Sequence, residues 1–67
     1  MKYAIIKKAD AENIGIQVKY HKENGVHIII NEKELMYSKA VGRTLEDKAK
    51  SANAELIELS QALRFIK

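Results

Sequence analysis

The chain has 67 residues, with 12 Lys or Arg against 9 Asp or Glu for a formal net charge of +3, and no Cys, Pro or Trp. This length predicts a single small domain over residues 1–67 rather than two domains. A chain this short buries only about 60% of the surface that it exposes when unfolded, so its stability is marginal. The lack of Cys excludes disulfides and thiolate zinc sites, which leaves oligomerisation as the usual remaining source of stability.

The same numbers bear on location and partners. No apolar stretch approaches the ~18 residues of a membrane span, and the apolar run near the N-terminus is far too short for a signal-peptide core. The absence of Cys fits a reducing compartment. We therefore expect a cytoplasmic protein with no membrane partner. The weakly basic charge is spread along the chain, so it permits contact with nucleic acid without arguing for it.

The first half is rich in Ile, Val and Tyr, which is typical of strands. A first strand is predicted at Lys2–Lys8, where adjacent Ile5 and Ile6 indicate burial on both faces or a bend. Residues 9–13 are polar and are predicted to form a turn. A second strand is predicted at Ile14–His21, because apolar residues alternate there with polar ones. Those apolar residues are Ile14, Ile16, Val18 and Tyr20.

A third strand is predicted at Val26–Asn31, joined to the second by the three-residue loop Glu23-Asn24-Gly25. This loop places Gly25 at the left-handed position that a type I turn with a bulge requires. The resulting register pairs Tyr20 with Ile28 on the core face. It also sets His21 directly opposite His27 on the other face of the hairpin.

Residues 32–43 are ambiguous. A fourth strand at Glu34–Ala40 would continue the apolar face through Leu35 and Tyr37. The alternative is a short helix capped by Asn31. The strand is the preferred interpretation, although the turn before it lacks a glycine.

Thr44 is a favourable N-cap, and Glu46 and Asp47 place negative charge in the first helical turn. An apolar stripe at spacings of three and four follows and predicts one continuous helix over residues 44–66. The stripe comprises Leu45, Ala49, Ala52, Leu56, Leu59, Leu63 and Ile66. A rival interpretation ends the helix at Asn53, adds a strand at Glu55–Leu59 and makes Ser60 the N-cap of a final turn.

The predicted fold is therefore α+β: an antiparallel β-meander of three to four strands packed against one long C-terminal helix. A continuous helix of ~34 Å would overhang strands of ~23 Å by about two turns. A second copy would cover the overhang, which predicts a homodimer. The candidate dimer contacts are Leu59, Leu63, Phe65 and Ile66. The expected core consists of Ile14, Ile16, Val18, Tyr20, Ile28, Ile30, Leu45, Ala49, Ala52, Leu56, Leu59 and Leu63.

Residues for catalysis are sparse. The hydroxyl side chains have no glycine-rich elbow near them, and the three isolated glycines make no phosphate-binding loop. The His21–His27 pair is close enough in the predicted hairpin to share a metal, but no third ligand has a clear spacing. We therefore expect no enzyme activity, no metal and no cofactor.

Two short segments, Met1-Lys2-Tyr3 and Gly42-Arg43-Thr44-Leu45-Glu46-Asp47, resemble antitoxins of the HicB group. The resemblance implies three strands followed by a helix that begins at Thr44. It covers fewer than ten residues, and the family's Pro- and Gly-containing segment before that helix is missing. No function is carried over from it.

Two functions follow as expectations. The first is a small non-enzymatic interaction module that self-associates through its C-terminal helix, with a further protein partner of unknown identity. The alternative is a small nucleic-acid-binding protein that uses a basic and histidine-bearing sheet face. The tyrosines weaken this alternative, since Tyr20 and Tyr37 are assigned to the core side. The candidate interaction face comprises Gln17, Lys19, His21, His27 and Ile29.

Overall fold

The computed structural model describes residues 2–65. Over that range the chain forms three strands, four short helices and a 3-10 turn at Val18–Tyr20. The elements are β1 (Lys2–Lys7), α1 (Lys8–Asn13), β2 (His27–Asn31), α2 (Glu32–Tyr37), α3 (Leu45–Ser51), β3 (Glu55–Glu58) and α4 (Leu59–Phe65). The predicted α+β class with an antiparallel sheet is confirmed. The meander and the single long C-terminal helix are wrong.

The sheet has the strand order β2-β1-β3, with β1 antiparallel to both neighbours. Ile6 lies opposite Ile28, and Ala4 lies between Ile30 and Leu56. The adjacent Ile5 and Ile6 are explained by this central position. Ile6 is fully buried on one face and Ile5 is half-buried on the other, as one of the two sequence interpretations expected.

One sheet face carries the main core. Helices α1, α2 and α3 cover this face and contribute Ala11, Leu35 and Ala49 to it, and Ala52 adds to it directly after α3. The buried residues from the sheet and the adjoining loop are Ala4, Ile6, Ile28, Ile30, Ile14 and Ile16. Helix α4 packs on the opposite face, where Ile57 and Ala62 are buried. The sheet is therefore covered on both sides, but by layers of unequal size.

The predicted strand at Ile14–His21 is absent, and residues 9–13 belong to helix α1 rather than to a turn. The backbone N–H groups of Ile14 and Ile16 donate to Ala11 O, at 3.2 and 2.9 Å, so they satisfy the end of α1 instead of a strand partner. Gly15 adopts a φ of 83° and turns the chain between them. Both isoleucines are still buried, because this turn directs them into the core.

The hairpin register also differs from the prediction. The bridge that forms pairs Glu23 with Ile28, and the Asn24 N–H donates to His27 O at 3.0 Å. Asn24, not His21, therefore lies against His27. Gly25 does have the predicted left-handed backbone, with a φ of 100°.

Residues 32–37 form helix α2, so the predicted fourth strand at Glu34–Ala40 is wrong and its alternative is correct. Asn31 Oδ1 accepts a hydrogen bond from the Glu34 N–H at 2.8 Å, which is the N-cap arrangement. Leu35 is fully buried from this helix, which ties α2 to the core.

Helix α3 begins as predicted, because Thr44 Oγ1 accepts from the Asp47 N–H at 3.1 Å. It ends at Ser51, and Asn53 turns the chain with a φ of 56°. The continuous helix over 44–66 is thus wrong, and the helix–strand–helix interpretation is correct, except that the last helix begins at Leu59. The overhang that predicted the homodimer does not exist, and self-association stays a prediction without that support.

The expected core is correct for its isoleucines and alanines. Val18, Leu45 and Leu56 pack at its margin. Tyr20, Leu59 and Leu63 are instead 72%, 48% and 64% exposed. The stripe from Leu45 onward was therefore one pattern shared by three elements, with only its first part facing the main core.

The loop between α2 and α3 is held by side chains of α3. The Lys48 ammonium donates to the carbonyl oxygens of Ser38 and Ala40, at 3.3 and 2.9 Å. Ser51 Oγ accepts from the Val41 N–H at 3.2 Å. At the end of this loop Gly42 has a φ of 138°, and a Cβ there would lie 2.6 Å from the Cβ of Asp47.

Leu35→Ala is expected to destabilise the domain by about 2–5 kcal/mol, because it removes a fully buried side chain from the core. Urea denaturation followed by circular dichroism measures the change. Val41→Ala, at a side chain that is 78% exposed, is the matched control and should change stability by less than about 0.5 kcal/mol. Equal effects of the two variants would contradict the core assignment.

Gly42→Ala is expected to destabilise more than Gly25→Ala. Both substitutions strain a left-handed backbone, at a cost of about 1–3 kcal/mol. At Gly42 the new methyl group also meets the backbone of Asp47 and Lys48 at 2.9 Å, whereas at Gly25 nothing lies within 4 Å. Thermal melts of both variants compare them directly. A larger loss at Gly25 would rule out the close approach of this loop to α3.

Candidate binding site

An open cleft of about 300 Å³ lies on the sheet face that carries α4. We call it the tyrosine cleft. Its lining residues are Tyr3, Tyr20, His21, Lys22, Ile29, Asn31, Leu59, Ala62 and Leu63. Within residues 2–65, no Asp or Glu contributes to this lining, whereas His21 and Lys22 do. The cleft is thus apolar and aromatic with a basic side.

The floor of the cleft comes from β1 and β2. Tyr3 lies directly opposite Asn31 in the antiparallel pair, and Ile29 is two residues before Asn31 on the same strand. Because side chains alternate along a strand, these three project from one face. The floor is therefore held in place by the pairing of the β1 and β2 backbones.

The first wall is helix α4. Leu59, Ala62 and Leu63 follow at helical spacing, with Ala62 only 7% exposed where the helix meets the sheet. The Glu58 N–H donates to Gln61 Oε1 at 3.0 Å, so a side chain of the helix satisfies the backbone at its start. The two leucines remain largely in contact with solvent along the rim of the cleft.

The second wall is the segment of Tyr20, His21 and Lys22. It begins in the 3-10 turn, where the His21 N–H donates to Val18 O at 3.1 Å. The Ile29 N–H donates to Lys22 O at 3.1 Å, which attaches the segment to the outer edge of β2. An ion pair between Lys8 and Glu23 holds the following residue. The wall is therefore fixed to the sheet at several points.

Tyr20 presents its ring to solvent at the mouth of the cleft. The ammonium group of Lys19 lies 5.1 Å from the centroid of that ring, a cation–π distance. Lys19 itself lines a separate groove, to which Glu12 and Glu23 also contribute.

A neighbouring cleft shares Tyr20 and His21 with the first and adds Gln17, Glu34 and Tyr37. Tyr37 is 89% exposed. The sequence contains three tyrosines, and all of them line these two adjoining clefts. The result is a band of aromatic surface around one end of β2.

The two histidines lie in different surroundings. His21 lines the tyrosine cleft, whereas His27 is at the other end of β2 with its ring 5.8 Å from that of Phe65, edge to face. In the described part of the chain, no three His, Asp or Glu side chains are grouped closely enough to hold a metal ion. The predicted His21–His27 cross-strand pair is not formed.

The structure therefore divides the predicted interaction face. His21 and Ile29 line the tyrosine cleft, Lys19 lies over the Tyr20 ring without lining this cleft, and Gln17 belongs to the neighbouring cleft. His27 packs on Phe65 instead. Of the predicted dimer contacts, Leu59 and Leu63 line the cleft wall, and Ile66 lies outside the described residues.

Sequence reasoning missed five lining residues: Tyr3, Tyr20, Lys22, Asn31 and Ala62. Two signals were available for them. Gly15 indicated a break in the strand that would otherwise bury Tyr20, and the capping role of Asn31 placed it at the junction of β2 and α2. Tyr3 and Lys22 had no distinctive local signal.

No family model matches the sequence, and comparisons with curated proteins and with solved structures also find no match. No helix among residues 2–65 is both long and apolar enough to cross a membrane. The function is therefore proposed from the geometry of the clefts.

Proposed function

We propose that the protein is a non-enzymatic binding module whose tyrosine cleft holds single-stranded nucleic acid. The observation that carries this proposal is the exposed ring of Tyr20, with the Lys19 ammonium over it and Lys22 lining the same cleft. Proteins that bind single strands combine aromatic side chains, on which bases stack, with cations that contact the phosphates. The absence of Cys fits a reducing compartment, and a cytoplasmic location is part of the proposal.

The exposure of the tyrosines favours nucleic-acid binding over self-association, which was the first of the two expected functions. The sequence pattern assigned Tyr20 and Tyr37 to the core, which left only Tyr3 of the three tyrosines available for stacking. Tyr20 and Tyr37 are 72% and 89% exposed. A base that stacks on Tyr20 would also cover the apolar rim of the cleft at Leu63, which water contacts in the free protein.

Charge supports the same ligand. His21 and Lys22 lie on the second wall, and no acidic side chain of residues 2–65 lines that cleft. Lys19 precedes this wall in the chain and lies over the Tyr20 ring. Glu34 lines the neighbouring cleft beside Tyr37, so the attraction for phosphate is strongest at the first cleft. The nucleic-acid strand is therefore expected to follow the second wall of the tyrosine cleft.

Tyr20→Ala is expected to lower the affinity for a short labelled oligothymidine about tenfold, because it removes one base-stacking platform. Fluorescence anisotropy at low salt measures the affinity. Lys22→Glu should also weaken binding and reduce its dependence on salt, since one phosphate contact is lost. Val41→Ala, exposed but outside both clefts, should bind like the wild type.

Two results would contradict the proposal. One is a wild-type protein that does not bind the oligonucleotide even at low salt. The other is binding that Tyr20→Ala and Lys22→Glu leave unchanged, which would place any nucleic acid elsewhere on the surface.

A second candidate is self-association through α4, the first of the two expected functions. It is favoured by Leu59 and Leu63, which are 48% and 64% exposed on one side of that helix. Two such helices in contact would remove four leucine side chains from water. A protein partner with an apolar surface would have the same effect.

Under this candidate, light scattering over a wide concentration range should show a dimer for the wild type. Leu63→Ser should shift it to monomer, because a polar side chain then enters the apolar contact. Val41→Ser is the matched control and should leave the dimer intact. A wild type that is monomeric at every concentration would exclude self-association.

A further inference from the structure

We infer that single-stranded nucleic acid occupies both clefts at once, with one base in the tyrosine cleft and the next base on Tyr37 in the neighbouring cleft. This inference depends on the proposed binding of single-stranded nucleic acid. It extends the site across Tyr20, the residue that carries that proposal. It concerns how many bases the protein holds, which the tyrosine cleft alone does not decide.

Tyr20 divides the aromatic surface into two compartments of similar size. It is 72% exposed and lines both clefts, which have volumes of about 300 and 370 Å³. Binding pockets for small ligands measure about 300–1,000 Å³, so each cleft has room for one nucleotide rather than for several. Because the clefts meet at Tyr20, bases on its two sides can belong to successive nucleotides of one strand.

Each compartment has a second tyrosine besides Tyr20. Tyr3 lines the tyrosine cleft, and Tyr37 lines the neighbouring cleft. Tyr37 is the last residue of helix α2 and is 89% exposed, so its ring is available to a base without any movement of the core. Proteins that bind single strands stack successive bases on a series of aromatic side chains. Tyr3, Tyr20 and Tyr37 form such a series across the two clefts.

The charged side chains indicate where the phosphates would lie. His21 lines both clefts, and Lys22 lines the tyrosine cleft. The phosphate that joins the two bases would therefore pass this segment, where both side chains can donate hydrogen bonds. Glu34 lines the neighbouring cleft, and its carboxylate repels phosphate. The second base should thus add affinity through stacking, against a small electrostatic cost.

The test uses short labelled strands of equal length that carry either one thymine or two adjacent thymines, with abasic nucleotides at every other position. The strands have the same number of phosphates, so a difference in affinity reports on the bases alone. In fluorescence anisotropy at low salt, the wild type should bind the two-thymine strand about tenfold more tightly than the one-thymine strand, the effect of one stacked base.

Tyr37→Ala is the decisive variant. It should abolish the gain from the second thymine and leave the affinity for the one-thymine strand unchanged, because the tyrosine cleft is intact. Tyr37→Phe is the matched control, since it keeps the aromatic ring, and it should retain the gain. Thermal melts of both variants should match the wild type, because the side chain at this position is exposed.

Glu34→Gln tests the same path through charge. It removes a negative charge from the neighbouring cleft but keeps the cap of α2, since the Glu34 backbone N–H donates to Asn31. The affinity for the two-thymine strand should rise about threefold, the usual effect of one surface charge, and added salt should reduce this rise. Glu46→Gln removes the same charge from an exposed position outside both clefts and should have a smaller effect.

The possible outcomes are distinct. Equal binding of the two strands by the wild type, or a gain that Tyr37→Ala retains or Tyr37→Phe loses, overturns the inference and leaves the proposed function standing. Equal effects of Glu34→Gln and Glu46→Gln also overturn it, because the strand would then not pass through the neighbouring cleft. Failure of both strands to bind overturns the proposed function and this inference with it.

Discussion

The burial of β1 on both faces organises the molecule. One face of this central strand is closed by three helices and a continuous layer of isoleucine and alanine side chains. The other is closed only by α4, which has seven residues and so extends about 10 Å. The helix buries Ile57 but leaves a cleft open along its own side, over Tyr3, Ile29 and Asn31. The tyrosine cleft is thus the part of the second face that lies beside the short helix and is not covered by it.

The helices that provide these layers are six or seven residues long. Isolated helices of this length are not stable in water, so caps and tertiary packing must hold them. Asn31 caps α2 and Thr44 caps α3 through their side-chain oxygens. Lys48 and Ser51 then tie the preceding loop back onto α3. Much of the stability therefore depends on local polar contacts around a small apolar core.

The importance of local polar contacts explains which features of the fold could be predicted from the sequence. Caps and left-handed turns are local signals, so Thr44, Gly25 and, in the alternative interpretation, Asn31 and Asn53 were identified. Predictions from hydrophobic periodicity were wrong where two different structures fit the same spacing of apolar residues. The alternation from Ile14 to Tyr20 also suits a turn that buries only its first two isoleucines. The stripe from Leu45 suits α3, β3 and α4 in succession. For the site, Ile29 lies on a strand that was predicted, whereas the strand that carried His21 in the prediction is absent. The exposure of Tyr20 depends on the turn at Gly15.

The second face of the sheet, which α4 covers only in part, also links ligand binding to the stability of the fold. A ligand in the tyrosine cleft would contact α4 on one side and the Tyr20–Lys22 segment on the other, and both lie outside the main core. Anything that binds only the folded state stabilises it, by about 2.7 kcal/mol at a hundred times its dissociation constant. In a domain this small that is a large share of the total free energy of unfolding. A nucleic-acid strand bound in the tyrosine cleft would therefore stabilise the folded state by covering the part of the second sheet face that α4 leaves open.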